Sequence, residues 1–156
     1  MKTLILYATK HGAAREIAQR IAKNTSGATV HDMRNDGNPA VSGFDCIIIG
    51  SSVYAGSVHK EVKAFLSKNA DNMRGKTLGL FLSGLDTSKE ETYFERNFPA
   101  DILKMAKARF FLGGIFDPQK AGFFERLVMK AATKQTAYTN TISDEKIRQF
   151  AEAMIK

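Results

Sequence analysis

The sequence predicts a doubly wound α/β domain, in which helices cover both faces of a parallel five-stranded sheet. Short apolar segments alternate along the chain with segments of helical periodicity, which is the order of repeated β-α units. The most apolar segment, residues 44–50, is a continuous run, as expected for a strand that is covered on both faces. The 156 residues fit one domain, and no linker, internal repeat or low-complexity segment divides residues 1–156.

The predicted elements follow one another with short connections. The first helix places Ile17, Ala18 and Ile21 on one face, at the spacing of an amphipathic helix. Pro99 separates two helical segments because proline cannot continue a helix. Ser143 precedes two acidic residues and favours a helix start there. The predicted strands cover residues 2–8, 29–33, 44–50, 77–83 and 109–116, and the predicted helices cover residues 13–24, 58–69, 90–98, 102–106, 123–134 and 143–155.

Composition indicates a globular protein of a reducing compartment. The apolar fraction is 44% and the charged fraction 25%, both typical of soluble domains. A single cysteine, Cys46, excludes an internal disulfide framework, and its apolar neighbours predict a core position. No segment has the roughly 20 consecutive apolar residues of a membrane span, and the first apolar run is too short for a signal peptide. We therefore expect a cytoplasmic location.

The formal net charge of +7 favours anionic ligands and acidic partners. Basic residues are scattered through the helical segments and mixed with acids, so we do not expect nucleic-acid binding. The three histidines lie on separate elements, and no His, Cys, Asp and Glu set has metal-ligand spacing. We therefore expect no metal site, and no G-x-S-x-G segment indicates a nucleophile elbow.

Three loops carry the residues suited to ligand binding, because open parallel sheets bind ligands beyond the carboxyl ends of their strands. The first opens a helix, where converging N–H groups and the helix dipole favour an anion. Gly12 permits a tight turn, and Lys10 and His11 add positive charge. An ordinary turn that binds nothing is the alternative. The candidate residues are Thr9, Lys10, His11, Gly12, Ala13 and Ala14, then Ser51, Ser52, Val53, Tyr54, Ala55 and Gly56, then Ser83, Gly84, Leu85 and Asp86.

Over its full length the chain resembles the flavodoxin-like family, which binds flavin mononucleotide (FMN). The family's first loop, T-x-[ST]-G-x-T, corresponds to Thr9 through Ala14, with His11 and Ala14 in place of hydroxyl residues. The resemblance implies a three-layer sandwich with strand order 2-1-3-4-5. It also implies that the first loop holds the FMN phosphate while the other two loops flank the flavin ring.

Within that resemblance, Tyr54 would stack on the flavin ring, and packing against its own helix is the structural alternative. The third loop lacks a second aromatic residue. Either Leu85 covers part of the other ring face, or that face is open and admits a flat substrate. The peptides near Ala55 and Gly56 would sense reduction of the flavin, because glycine allows a peptide to flip.

A narrower resemblance is to the menaquinone-dependent protoporphyrinogen oxidases. It rests on three stretches, "MKTLILYATKHGAAREIA", "IIIGSSVYAGSVHKEVKAF" and "GGIFDPQKAGFFERLVMKAATKQT". It implies oxidation of a porphyrinogen-like or other small substrate, either anionic or flat and aromatic, with a quinone as acceptor. The loop at 117–122 is shorter, less basic and less aromatic than in that family. The helix from Phe123 to Lys134 is basic and amphipathic, which suits peripheral contact with the inner face of a membrane or with a redox partner protein. The alternative is that this helix only covers the sheet.

The leading interpretation is an FMN-dependent oxidoreductase. The alternatives are a non-catalytic electron-transfer flavodoxin and a flavin-free binding module on the same fold. Electron-carrier flavodoxins are usually acidic, so the basic charge of this chain disfavours a general electron shuttle. A phosphorylated receiver domain is excluded, because the loops after the first and third strands lack the acidic residues it needs.

Overall fold

Five parallel strands form the central sheet of the protein. The computed structural model describes residues 1–37, 39–133 and 137–156. The strands are β1 (Thr3–Ala8), β2 (Thr29–Asp32), β3 (Cys46–Ser52), β4 (Thr77–Ser83) and β5 (Ala106–Phe111). Their order in the sheet is β2-β1-β3-β4-β5, and every neighbouring pair is parallel. The predicted α/β fold and strand order are confirmed.

Helices cover both faces of this sheet and give the predicted three layers. They are α1 (Ala13–Lys23), α2 (Lys60–Asn69), α3 (Glu90–Asn97), α4 (Ala100–Met105), α5 (Phe123–Thr133) and α6 (Asp144–Ile155). On one face, Ile17 of α1 and Phe150 of α6 pack with strand residues such as Ile48. On the other, Phe65 of α2 and Phe94 of α3 join the remaining strand side chains. The site-forming loops therefore start from rigid, fully covered strands.

The predicted third strand, residues 44–50, is shifted by two residues: β3 covers Cys46–Ser52, so Ser51 and Ser52 end the strand and do not belong to the loop after it. Its apolar run is buried on both faces, as predicted. Ile47 and Ile49 contribute to the core beneath α2, whereas Cys46 and Ile48 contribute to the core beneath α1. Burial raises the pKa of the Cys46 thiol. The predicted start of the last helix is also confirmed, because the Ser143 hydroxyl accepts a hydrogen bond from the N–H of Lys146 at 3.2 Å.

The predicted fifth strand, residues 109–116, is wrong at both ends. Strand β5 starts directly after α4, so Ala106 belongs to the strand and not to the predicted helix. It ends before two glycines that interrupt an otherwise continuous apolar run. Gly113 has φ of +87°, and a Cβ there would lie 2.0 Å from the Thr141 carbonyl oxygen. A Cβ on Gly114 would lie 2.8 Å from the Gly84 carbonyl carbon. The pair thus turns the chain where no larger residue fits.

A short antiparallel ribbon replaces the end of the predicted strand. It consists of β6 (Ile115–Phe116) and β7 (Thr139–Asn140), with Phe116 opposite Thr139. The N–H of Gly84 donates to the Gly113 carbonyl at 3.1 Å, which ties the loop after β4 to the turn before β6. The ribbon is thereby held beside the carboxyl edge of the sheet.

Helix α5 lies between the two strands of the ribbon in the chain, over nearly the residues predicted for it. It covers Phe123–Thr133, whereas Lys134 and the side chains of Phe124 and Val128 lie outside the described part of the chain. Phe123 and Leu127 are exposed. Within the described ranges, none of the helices combines the length and apolar character that a membrane crossing requires.

We expect Gly113→Ala to lower the free energy of unfolding by at least about 2 kcal/mol, because alanine must adopt a left-handed φ and also overlaps the Thr141 carbonyl. Urea denaturation measures this change. Gly43→Ala is the control, since Gly43 has no positive φ and a Cβ there meets nothing within 4 Å. Equal stability of the two variants would contradict the tight turn at Gly113.

Candidate functional site

The loop between β1 and α1 is a tight turn stabilised by its own residues. Gly12 has φ of +100°, and its N–H donates to the Thr9 hydroxyl oxygen at 3.0 Å. The N–H of Glu16 then bonds the Gly12 carbonyl at 3.0 Å, which begins α1. The Thr9 hydroxyl still has its own proton to donate. A Cβ on Gly12 would meet nothing within 4 Å, so the space beside the helix start is open.

Positive charge gathers around this first loop. Lys10 projects from it beside the His11 imidazole, and the Arg34 guanidinium donates to the Thr9 carbonyl at 2.8 Å. The Lys10 ammonium also lies over the Tyr54 ring, 5.6 Å from its centroid. The first N–H groups of a helix add to this field because they have no intrahelical acceptor. The arrangement favours an anion at the amino end of α1.

The second loop is held by a short bridge and by an asparagine from α3. Tyr54 and Ser57 exchange two backbone hydrogen bonds of 2.9 Å. Ala55 and Gly56 between them have φ of +49° and +78°. The buried Asn97 amide accepts from the Val58 N–H at 3.0 Å and donates to the Gly56 carbonyl at 2.9 Å. Tyr54 is 43% exposed and does not pack into the core.

A histidine missed by the sequence analysis lies beside the second loop. The Ser52 hydroxyl and His59 Nε2 are 2.9 Å apart. Ser51 is fully buried, and its hydroxyl accepts from the His59 N–H at 3.1 Å and donates to the Ser52 carbonyl at 2.9 Å. Burial, aided by the charge of Arg34, lowers the pKa of His59. His59 is therefore a neutral imidazole at pH 7, positioned by Ser51 and paired with Ser52.

The third loop is shared between two cavities: Ser83 lines the main one and Asp86 lines a smaller one. In the described chain, the buried Ser83 hydroxyl has no hydrogen-bond partner, and Ser83 lines the main cavity. Asp86 instead accepts from the N–H and the hydroxyl of Ser88, at 3.1 and 2.5 Å, and these bonds begin a short 3-10 turn, Thr87–Lys89. The hydrogen bond from the Ser88 hydroxyl lowers the pKa of Asp86.

The three loops meet around a main cavity of about 110 Å³ and a smaller one of about 80 Å³. Both cavities share Val53, Tyr54, Gly84 and Leu85. Gly12, Ala14 and Ser51 line neither of them. The remaining predicted site residues line one cavity each. The main cavity is lined by Thr9, Lys10, His11, Ala13, Ser52 and Ser83, and the smaller cavity is lined by Ala55, Gly56 and Asp86.

A second set of cavity-lining residues comes from the region after β5, and none of them was predicted to belong to the site. Phe116 and Asp117 line the main cavity, and Met129 of α5 lines both cavities. Glu125 of α5 contacts the Lys10 ammonium, and its second oxygen lies 2.5 Å from His11 Nε2. Burial acts to raise the pKa of Glu125, but the hydrogen bonds from Lys10 and His11 outweigh it and lower that pKa. One signal was in the sequence: Glu125 is the only acid within residues 123–134.

Known proteins resemble this chain in sequence and in fold. A family model of the flavodoxin domain matches residues 4–143. Protoporphyrinogen IX dehydrogenase (quinone) of Escherichia coli K12 is 30% identical over 95 residues, which are 58% of this chain and 52% of that protein. The chain spans about half the length of the curated relatives that it matches.

Solved flavodoxins share the fold at low sequence identity. A short-chain flavodoxin associated with a PDU bacterial microcompartment superposes with a TM-score of 0.65 at 15% identity, over 99% of this chain and 97% of that one. The Fusobacterium nucleatum flavodoxin bound to flavin mononucleotide gives 0.60 at 16% identity, over 99% and 96%. The family model spans most of the sequence, and the protein therefore belongs to the flavodoxin domain family.

Proposed function

We propose that the protein binds FMN among the three loops and is an FMN-dependent oxidoreductase. The observation that carries this proposal is the turn at Gly12, which opens α1 with cationic side chains beside it and free space in front of it. Such a turn suits the phosphate end of the cofactor. Membership of the flavodoxin family supports the same cofactor, and one of the similar solved flavodoxins is bound to FMN.

The first loop would hold the phosphate. The donors are the N–H groups at the start of α1 and the hydroxyl proton of Thr9, with charge-assisted bonds from Lys10 and His11. His11 and Ala14 replace hydroxyl residues of the family pattern. Backbone N–H groups do not depend on side-chain identity, so these replacements leave the main donors intact.

The second and third loops would hold the isoalloxazine ring. Tyr54 is exposed toward both cavities and can stack on one ring face. The Ser83 hydroxyl, which lacks a partner in the described chain, and the Ser52–His59 pair offer polar groups in the same cavity. The bound cofactor would supply the electron or hydride transfer, while these side chains bind and orient it and exclude water.

The substrate would approach through the smaller cavity. Tyr93 and Phe111 line it, with ring centroids 5.9 Å apart, beside Leu85 and Met129. This apolar wall suits a flat aromatic molecule, and the net charge of +7 suits an anionic one. A porphyrinogen-like substrate combines apolar pyrrole rings with anionic carboxylates and so suits this wall and this charge, and the likeness to the E. coli dehydrogenase supports it.

A quinone or a redox partner protein would accept the electrons. Phe123 and Leu127 expose apolar surface on α5, and Arg126 and Lys130 add positive charge nearby. An amphipathic basic helix of this kind suits peripheral contact with an anionic membrane surface, where quinones reside. The substrate-free alternative, an electron-transfer flavodoxin, requires exchange with a reductase and no small-molecule substrate.

We expect Gly12→Asp to weaken FMN binding by at least about tenfold relative to Gly12→Asn, because a carboxylate repels the phosphate while the matched amide does not. Asp and Asn are strained to a similar degree at the left-handed φ of Gly12, so the comparison isolates charge. Quenching of FMN fluorescence during titration gives both dissociation constants. Equal constants would place the phosphate elsewhere.

We expect Tyr54→Ala to shift the visible flavin spectrum and to weaken FMN binding roughly two- to tenfold, as loss of one aromatic stack does. Tyr54→Phe is the matched control, because it keeps the ring and removes only the hydroxyl. Absorption spectra and FMN titrations of both variants test the prediction. If the alanine variant behaves like the wild type, Tyr54 does not contact the flavin.

A further inference from the structure

We infer that α5 closes the phosphate site with a carboxylate of the protein itself: Glu125 holds Lys10 and His11, a phosphate group displaces it, and α5 then moves away from the loop. This inference rests on the proposed function, since the phosphate in question is that of FMN. It makes Glu125 and the cofactor competitors for the same two side chains, so Glu125 lowers the affinity for FMN.

The first support is the way in which Glu125 is bound. Its two carboxylate oxygens engage two different side chains of the first loop, one the Lys10 ammonium and the other the His11 imidazole. Its side chain is only 10% exposed, whereas Lys10 is 53% exposed. Carboxylate and phosphate use the same charge-assisted hydrogen bonds, so a loop that grips Glu125 in this way is suited to a phosphate.

The second support is electrostatic. A nearly buried carboxylate is stable only when cations and hydrogen bonds offset its loss of hydration. Lys10 and His11 do this for Glu125, and the resulting low pKa keeps it ionised at neutral pH. Lys10 and His11 are therefore engaged by a full negative charge from α5. An incoming phosphate must replace that charge to reach the same side chains.

The third support is the space that α5 fills. Met129 lies one turn after Glu125, on the same side of the helix, and lines both cavities. With these two side chains in position the main cavity is about 110 Å³, whereas small-molecule sites usually measure roughly 300–1,000 Å³. An outward shift of α5 would withdraw both side chains and enlarge this space for a ligand the size of FMN. Gly122, which is exposed and has open space around it, precedes the helix and can accommodate that shift.

The test compares wild type with Glu125→Gln, which removes the charge and keeps the shape of the side chain. We expect Glu125→Gln to bind FMN roughly tenfold more tightly, because no carboxylate competes for Lys10 and His11. Glu152→Gln on α6 is the control, since it makes the same change in net charge at an exposed position. Fluorescence titration measures FMN affinity, and circular dichroism verifies that all three proteins are folded.

Hydrogen exchange of the wild-type protein tests the movement without any substitution. We expect FMN to increase amide exchange in the first turns of α5, because the helix loses its contact with the loop. Decreased exchange there would mean that α5 tightens over the cofactor, and it would overturn the inference. An unchanged or lower affinity of Glu125→Gln for FMN would overturn it as well, and would leave the proposed function intact.

A titration with inorganic phosphate distinguishes failure of this inference from failure of the proposed function. If neither wild type nor Glu125→Gln binds FMN, the proposed cofactor is wrong, and a titration with inorganic phosphate then decides the competition at the loop. Tighter phosphate binding by Glu125→Gln than by wild type would support displacement of the carboxylate. Equal binding by the two proteins would overturn it.

Discussion

Positive charge at the carboxyl end of β1 is the constraint on which the site depends. The loop combines the amino end of α1 with Lys10 and His11, and Arg34 holds its backbone from the side. Such a concentration of positive charge is stable only next to an anion or to water. Glu125 provides an anion although it lies 115 residues after Lys10 in the chain, and this contact links the position of α5 to the electrostatics of the loop. The same charge is what makes the loop a site for a phosphate.

Close contact between glycine backbones forms the other wall of the site. Gly84 at the end of β4 touches Gly114, and Gly113 turns the chain against Thr141. These contacts leave no room for a Cβ, and the chain turns there from the carboxyl end of β5 into the β6–β7 ribbon. Phe116 and the start of α5 reach the loops only through this turn. The segment after β5 therefore lies next to the phosphate loop because of tertiary packing, although the two are far apart in the sequence.

Elements whose burial follows a local pattern could be predicted from the sequence, and contacts between distant segments could not. The continuous apolar run of β3 and the bounds of β4 were predicted because parallel strands bury both faces. The end of β5 was missed because the run "FFLGGIF" is apolar throughout, and the steric reason for the break lies in Thr141 and Gly84. His59 and Glu125 were missed because their roles come from Ser52, Lys10 and His11, and periodicity carries no information on such partners.

A paired titration of the wild-type protein with FMN and with riboflavin tests the central claim most directly. The two ligands share the isoalloxazine ring, and only FMN has the phosphate for which the charge at the end of β1 is suited. We expect FMN to bind at least about tenfold more tightly than riboflavin, because several charge-assisted hydrogen bonds are lost without the phosphate. Equal affinity for the two ligands, or no binding of FMN, would contradict the assignment of the first loop as a phosphate site.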